Sequence, residues 1–308
     1  MTAAIIIIAI IIFIWWNAFL PFYKDRNSEK LVSDESKCFS PECRSIICEN
    51  GNREAVLMIH GYPTTPHMYS YSAARLRDAG YDVFAPLIPT FGADPEDFMK
   101  TDFTQWFNFI DDYYTGLRKR YDKVYVIGTS MGGAMTLKLA EKYSSTSLAM
   151  DKIVSISAPV CYNALLRYGI VTNPAAYIAR TIGLFRKTIG LGIVNGRPDS
   201  EDGNEEWLGY KGTVINHGLS LWKAFNRIGK ALADIKVPMF VMHDRGDRTV
   251  PFRNLAIIEK FCKDYIVCAR EVEMDKRYRH SHHALLMYRS VQKEYTDEII
   301  EFLRGGDE

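Results

Sequence analysis

"KVYVIGTSMGGAMTLKLA" occupies residues 123–140, and its reading decides the fold. A β-branched and aromatic run ends at Gly128, Ser130 stands at the bend, and a helix-forming stretch begins at Met131. Two readings compete. Glycine permits a tight strand-to-helix turn, and a serine there simply caps the helix. Alternatively, the bend holds the Ser130 hydroxyl free at the carboxyl end of a sheet, the context that gives a G-x-S-x-G pattern its chemical meaning.

Working outward, strands and helices alternate on both sides of this segment. "EAVLMIH" (54–60) is a short apolar run suited to a buried parallel strand, and a helix through "MYSYSAARLRDAG" stops at Gly80. "YDVFAPLI" (81–88) is the next strand, and residues 102–121 carry Phe103, Trp106, Phe107 and Ile110 at helical spacing. "KIVSISAP" (152–159) follows the quoted segment. From about Val160 to Asp234 the rhythm pauses in a long stretch of helical character. It resumes with strand "VPMFVMHD", a helix near "FRNLAIIEKFC", strand "IVCAREVEM" and a final helix from about His283 to Leu303. Such alternation predicts an α/β fold, with a mostly parallel sheet covered by helices on both faces. We assign the core to 52–159 and 235–308, with an inserted helical cap at 160–234.

The N-terminus differs in character. "AAIIIIAIIIFIWWNAFL" (3–20) holds one polar residue, Asn17, and as a helix is about long enough to cross a bilayer core. Trp15, Trp16, Phe22 and Tyr23 gather at its end, where amphipathic rings favour the membrane boundary. No Lys or Arg precedes the run and no small-residue cleavage site follows it, unlike a secretory signal. The expectation is a retained transmembrane helix within 1–23, a single-pass membrane localisation and a linker over 24–51. Lys24, Arg26, Lys30 and Lys37 put the following domain in the cytoplasm by the charge rule. Cys38, Cys43 and Cys48 argue for an oxidising compartment instead. Both sides stay open. Cys161, Cys262 and Cys268 lie in apolar segments, as small buried hydrophobes do.

The whole chain has 308 residues, 47% of them hydrophobic and 24% charged, with a formal net charge of +1. That balance supports a sizeable core and gives no electrostatic reason to expect a nucleic-acid partner. Neither cysteines nor histidines fall at zinc-site spacing, so no metal is expected.

Serine is a poor nucleophile until a base takes its proton, and the base needs a carboxylate to hold its tautomer. In a fold of this kind the order is Ser, acid, His. "VPMFVMHDRGDRTVP" offers Asp244 and Asp247, of which Asp247 lies in the turn beyond the strand. "RYRHSHHALLM" offers His280, His282 and His283. His283, at the start of the apolar final segment, is favoured over His282. His60, His67, His217 and His243 fall too early or inside the insertion. A developing oxyanion needs preorganised donors: the amides of Met131, just after the serine, and of Tyr62, in "HGYPTTP" (60–66).

These stretches together make residues 52–304 resemble the α/β-hydrolase superfamily, in particular its bacterial carboxylesterase and monoacylglycerol lipase branch. "MIHGYPTTP", "DFTQW", "GTSMGG", "VPMFVMHDRGDRTVP" and "SHHALLMYRS" occur in that family's order and at comparable spacing. One departure is "IPTFGADP" (88–95), which stands where many relatives have a Gly-His-Gly turn. The resemblance implies Ser130 as nucleophile, Asp247 as acid, His283 as base, and Tyr62 and Met131 as oxyanion donors. It implies hydrolysis of a small-molecule ester or lipid through an acyl-enzyme, with no cofactor. A thioesterase, peptidase or acyltransferase on the same triad is the nearest alternative, and a non-catalytic binding member the next. In the cap, Trp222, Phe225, Ile228 and Leu232 recur at spacings of three and four, a stripe that suits core packing or an acyl chain.

Overall fold

The computed structural model of the chain describes residues 2–18, 25, 29–161 and 178–305. A seven-stranded sheet forms its centre: β1 (Ile46–Cys48), β2 (Glu54–Ile59), β3 (Asp82–Ala85), β4 (Lys123–Thr129), β5 (Lys152–Ile156), β8 (Met239–Asp244) and β9 (Ile266–Val272). Their spatial order is β1-β3-β2-β4-β5-β8-β9, and only β1 runs antiparallel to its neighbour. Strands buried on both faces read as unbroken apolar runs, and six of the seven residues of β4 are buried.

Alternate side chains serve the two faces. Ala55, Leu57 and Ile59 of β2 point into one core with Val124 and Val126. That core is covered by α4 (Phe103–Arg118), α5 (Met131–Tyr143) and α8 (Arg253–Cys262). Val56 and Met58 point into the other, beneath α2 (Ser70–Asp78) and α9 (Gln292–Arg304). Helix α4 follows its periodicity closely: Phe103, Trp106, Phe107, Ile110, Tyr114 and Leu117 are all buried. Asp102 caps it by accepting from the amides of Thr104 and Gln105 at 3.1 and 3.3 Å.

Three expectations need correction. The segment expected to be a linker contributes a strand, since β1 pairs with β3 through Ile46–Ala85, Ile47–Phe84 and Cys48–Val83. No disulfide joins Cys38, Cys43 or Cys48. The cap expected to be helical holds an antiparallel hairpin, β6 (Thr188–Asn195) with β7 (Leu208–Val214), between short α6 (Ala179–Ile182) and long α7 (Ile215–Ala231). The glycines at 190, 192, 209 and 212, which weaken helix, sit in these strands. The final helix starts at Gln292, so His283 lies in a loop.

The N-terminal expectation is overturned. Among the described residues no helix is long and apolar enough to cross a membrane. The described helix α1 (Thr2–Ala18) has 17 residues, roughly 25 Å at about 1.5 Å each, against a hydrocarbon core of about 30 Å. Its last turn is committed to protein. Asn17 is buried, donating to Thr181 Oγ1 at 2.9 Å and accepting from the Thr181 amide at 3.2 Å. Arg180 lies 3.8 Å from the Trp16 ring centroid. The transmembrane anchor, the membrane localisation and the membrane partner drawn from it are therefore withdrawn. Phe22, Tyr23, Lys24 and Arg26 lie outside the described residues.

Candidate active site

Between β4 and α5 the chain makes a sharp elbow. Ser130 adopts φ 59° and ψ −121°, a left-handed conformation that costs a non-glycine residue energy and is kept only where surroundings enforce it. The enforcement is visible. Its amide donates to Ile156 O at 2.8 Å, and a Cβ on Gly128 would collide with the Gly132 carbonyl. One on Gly132 would collide with the carbonyl of Ile59. The glycines thus let β2, β4 and α5 meet closely enough to expose the Ser130 hydroxyl. Met131 opens α5, so its amide has no acceptor within the helix.

Tyr62 lies opposite, in the loop after β2. That loop is held by His60, fully buried, whose Nδ1 lies 3.0 Å from Gly61 O while Nε2 accepts from the Ile88 amide at 3.1 Å. An acceptor at Nε2 fixes the neutral tautomer with Nδ1 protonated. Burial pushes the His60 pKa down to about 4. Ser130, Met131 and Tyr62 share a cavity of about 270 Å³, lined mainly by apolar cap residues such as Ile215, Leu219 and Trp222 and closed by Thr249 and Val250.

Asp247 and His283 come together at 2.7 Å, Oδ2 to Nδ1, both largely buried. The Asp247 carboxylate is densely coordinated. Oδ1 accepts from the amides of Thr249 and Val250 at 2.7 and 2.9 Å, and Oδ2 lies 3.2 Å from His243 Nε2. Burial works to raise its pKa, but the His283 charge and the two imidazole hydrogen bonds outweigh that and hold it well below the usual carboxylate range. His243 Nε2 also lies 3.1 Å from Val250 O, so both its neighbours are acceptors and it must carry a proton.

His283 is aimed by its loop. Its amide and that of Ala284 both donate to the Tyr288 hydroxyl at 3.3 Å, and the Tyr288 ring stacks on His280 at 3.7 Å. The Arg248 amide donates to Ser281 O at 3.0 Å, tying the aspartate loop to the histidine loop. With Nδ1 engaged by a carboxylate, the neutral ring presents Nε2 as its acceptor, and that nitrogen is buried without a partner among the described residues. It makes no hydrogen bond to Ser130 in this structure, a contact that is often long before substrate binds.

The neighbouring candidates are engaged elsewhere. His282 faces Asp244 at 3.5 Å and its Nε2 lies 3.2 Å from Tyr278 O, while His280 pairs with Asp202 at 3.0 Å. His60, His243 and Tyr288 were not singled out by their residue type. The usable signal was a histidine closing an apolar strand, as in "VLMIH" and "MFVMH". Among the described residues no group of three or more metal-ligating side chains occurs.

A family model described as serine aminopeptidase, S33, matches residues 50–284. The chain is similar to a thermostable monoacylglycerol lipase of Bacillus sp. (strain H-257), 38% identical over 214 residues, which covers 68% of this chain and 76% of that protein. It is similar to a carboxylesterase of Bacillus subtilis (strain 168), 24% identical over 269 residues, covering 83% and 95%. A solved structure from work on the metagenome-derived lipolytic enzymes LipS and LipT superposes with a TM-score of 0.68 at 19% identity, covering 86% of this chain and 98% of that one.

Proposed function

Because the chain belongs to the serine aminopeptidase S33 family of α/β-hydrolases and is a carboxylic ester hydrolase, we propose that it works through an acyl-enzyme on Ser130. His283 Nε2 takes the proton of Ser130 as its hydroxyl attacks the acyl carbonyl. Asp247 stabilises the imidazolium that forms. The amides of Tyr62 and Met131 receive the charge developing on the carbonyl oxygen. His283 then protonates the leaving alcohol, activates a water against the acyl-enzyme and releases the acid. Every group used belongs to the protein.

The observation that carries this reading is the 2.7 Å Asp247–His283 couple with its outer nitrogen unpartnered. The cavity beside Ser130 supports a medium- or long-chain monoester, such as a monoacylglycerol, because an acyl chain loses water-exposed area against Trp222, Phe225 and Leu219. The bacterial relative named as a monoacylglycerol lipase supports the same class. The insertion at 160–234 thus serves as the acyl-binding cap between the core segments 52–159 and 235–308. Its stripe divides: Trp222 and Phe225 face the cavity, while Ile228 and Leu232 pack into the core. The part of the cap from 162 to 177 lies outside the described residues.

A fluorophosphonate probe should label the wild type and not Ser130→Ala. Among p-nitrophenyl esters, octanoate should exceed acetate in kcat/KM. Labelling of Ser130→Ala would remove the nucleophile assignment, and a strict preference for acetate would remove the acyl-chain reading. Thioester and amide substrates run in parallel separate a thioesterase or peptidase from an esterase.

A further inference from the structure

The loop that carries Tyr62 is gripped by the cap as well as by the core. Tyr210 of β7 donates its amide to Pro63 O at 3.0 Å, Thr64 and Gly209 form an antiparallel bridge, and Thr64 Oγ1 donates to Leu208 O at 2.9 Å. A Cβ on Gly209 would collide with the Pro63 carbonyl, so the two backbones touch at that point. One turn into α7, His217 shares a 3.2 Å hydrogen bond between Nδ1 and the Tyr62 hydroxyl. Its ring is fully buried, edge-on between Phe98 and Trp106 at 4.6 and 4.8 Å between centroids. Thr64 and His217 are therefore both buried polar groups whose partners lie across the boundary between loop and cap.

The same short segment forms the cavity wall. Gly212, Val214, Ile215, Gly218, Leu219 and Trp222 line it, interleaved along the chain with the gripping residues Leu208, Gly209, Tyr210 and His217. A chain packing against 212–222 thus presses on the element that fixes where Tyr62 sits. We infer that Thr64 and His217 are positioning residues through which an acyl chain bound in the cap sets the oxyanion loop, so that chain length is read in kcat rather than in KM. This rests on the proposed role of Tyr62. Binding energy from a remote part of the substrate then acts at the reacting centre, where displacement of a donor by about 1 Å can cost up to about a hundredfold in rate.

The test is a series of p-nitrophenyl esters from butyrate to dodecanoate, with kcat and KM resolved separately for wild type, Thr64→Val, Tyr62→Phe and His217→Phe. Each variant removes one polar grip and leaves the Tyr62 amide in the chain, so a folding failure in one leaves the others. We expect wild-type kcat to rise with chain length. In each variant it should flatten, falling about tenfold for the best chain while KM moves less than about twofold. Thr64→Ser, which keeps the hydroxyl, should restore the rise. Fluorophosphonate labelling of each variant shows that Ser130 is intact. Loss of labelling in wild type would sink the acyl-enzyme itself. Labelled variants that keep the wild-type rise in kcat, or lose only KM or melting temperature, would overturn this inference alone. So would a wild-type kcat independent of chain length.

Discussion

Two aspartate–histidine couples lie side by side at the carboxyl ends of β8 and β9, with adjacent residues in the sequence and opposite characters in the fold. In the first, His283 Nδ1 meets Asp247 at 2.7 Å and Nε2 is left without a partner. In the second, His282 Nδ1 stands 3.5 Å from Asp244, its Nε2 is held 3.2 Å from Tyr278 O, and Asp244 is occupied by the amides of Gly246 and Met274 at 2.6 and 2.8 Å. One couple keeps a basic nitrogen open to the reaction side; the other uses its polar atoms to close loops. Residue type does not separate them. What separates them is which polar atom the fold leaves unsatisfied.

The largest effect that can break this comparison is at the histidines. Replacing His283 by Ala should lower kcat by on the order of 10⁴-fold or more. His282→Ala should lower it less than about tenfold while reducing the melting temperature. Steady-state turnover and thermal unfolding on both variants decide the matter, and equal losses of kcat would erase the distinction.

The aspartates should split in the same way. Asp247→Asn, which cannot hold the His283 tautomer, should cost on the order of 10⁴-fold in kcat with little change in stability. Asp244→Leu strands the buried amides of Gly246 and Met274 and should destabilise the fold by about 2 kcal/mol, read from urea unfolding. Its folded fraction should still label with fluorophosphonate.

The smallest effect separates fold from chemistry by pH. Burial pushes the His60 pKa down to about 4 from its ordinary 6.5. The unfolded chain therefore binds the proton more readily, and the neutral ring's contribution to stability is complete above about pH 6.5 and declines as pH falls towards about 4. Melting temperature should fall over that window in wild type and, in parallel, in His283→Ala, which has lost the reactive couple. A decline in wild type alone would tie the acid sensitivity to His283 instead.

Much of this was legible in the residues. The alternation of apolar runs and amphipathic helices is a local property, and Gly128, Ser130 and Gly132 declare the elbow within five positions. The Asp247–His283 pairing followed from chain order and the need of a base for a carboxylate. The cap was less legible. Residues 188–195 and 208–214 form a hairpin whose pairing lies between segments separated by a turn, and whose glycines suit neither helix nor strand by propensity. The N-terminal run misled because hydropathy counts apolar residues but does not register that Asn17 is taken up by Thr181 on α6. His60 and His243 were invisible as supports because their partners are backbone groups and a carboxylate that only the assembled sheet brings near.

Strand β1 bears on how the protein should be cut for expression. The family-matched region begins at residue 50, whereas β1 ends at Cys48 and supplies the antiparallel partner that covers the outer side of β3. A fragment trimmed to the matched region would bare a row of backbone donors and acceptors along Val83, Phe84 and Ala85, flanked by apolar side chains. Exposed edges of that kind recruit strands from other molecules. Shortened versions should therefore begin upstream of Ile46, or they will trade a smaller gene product for a sticky one.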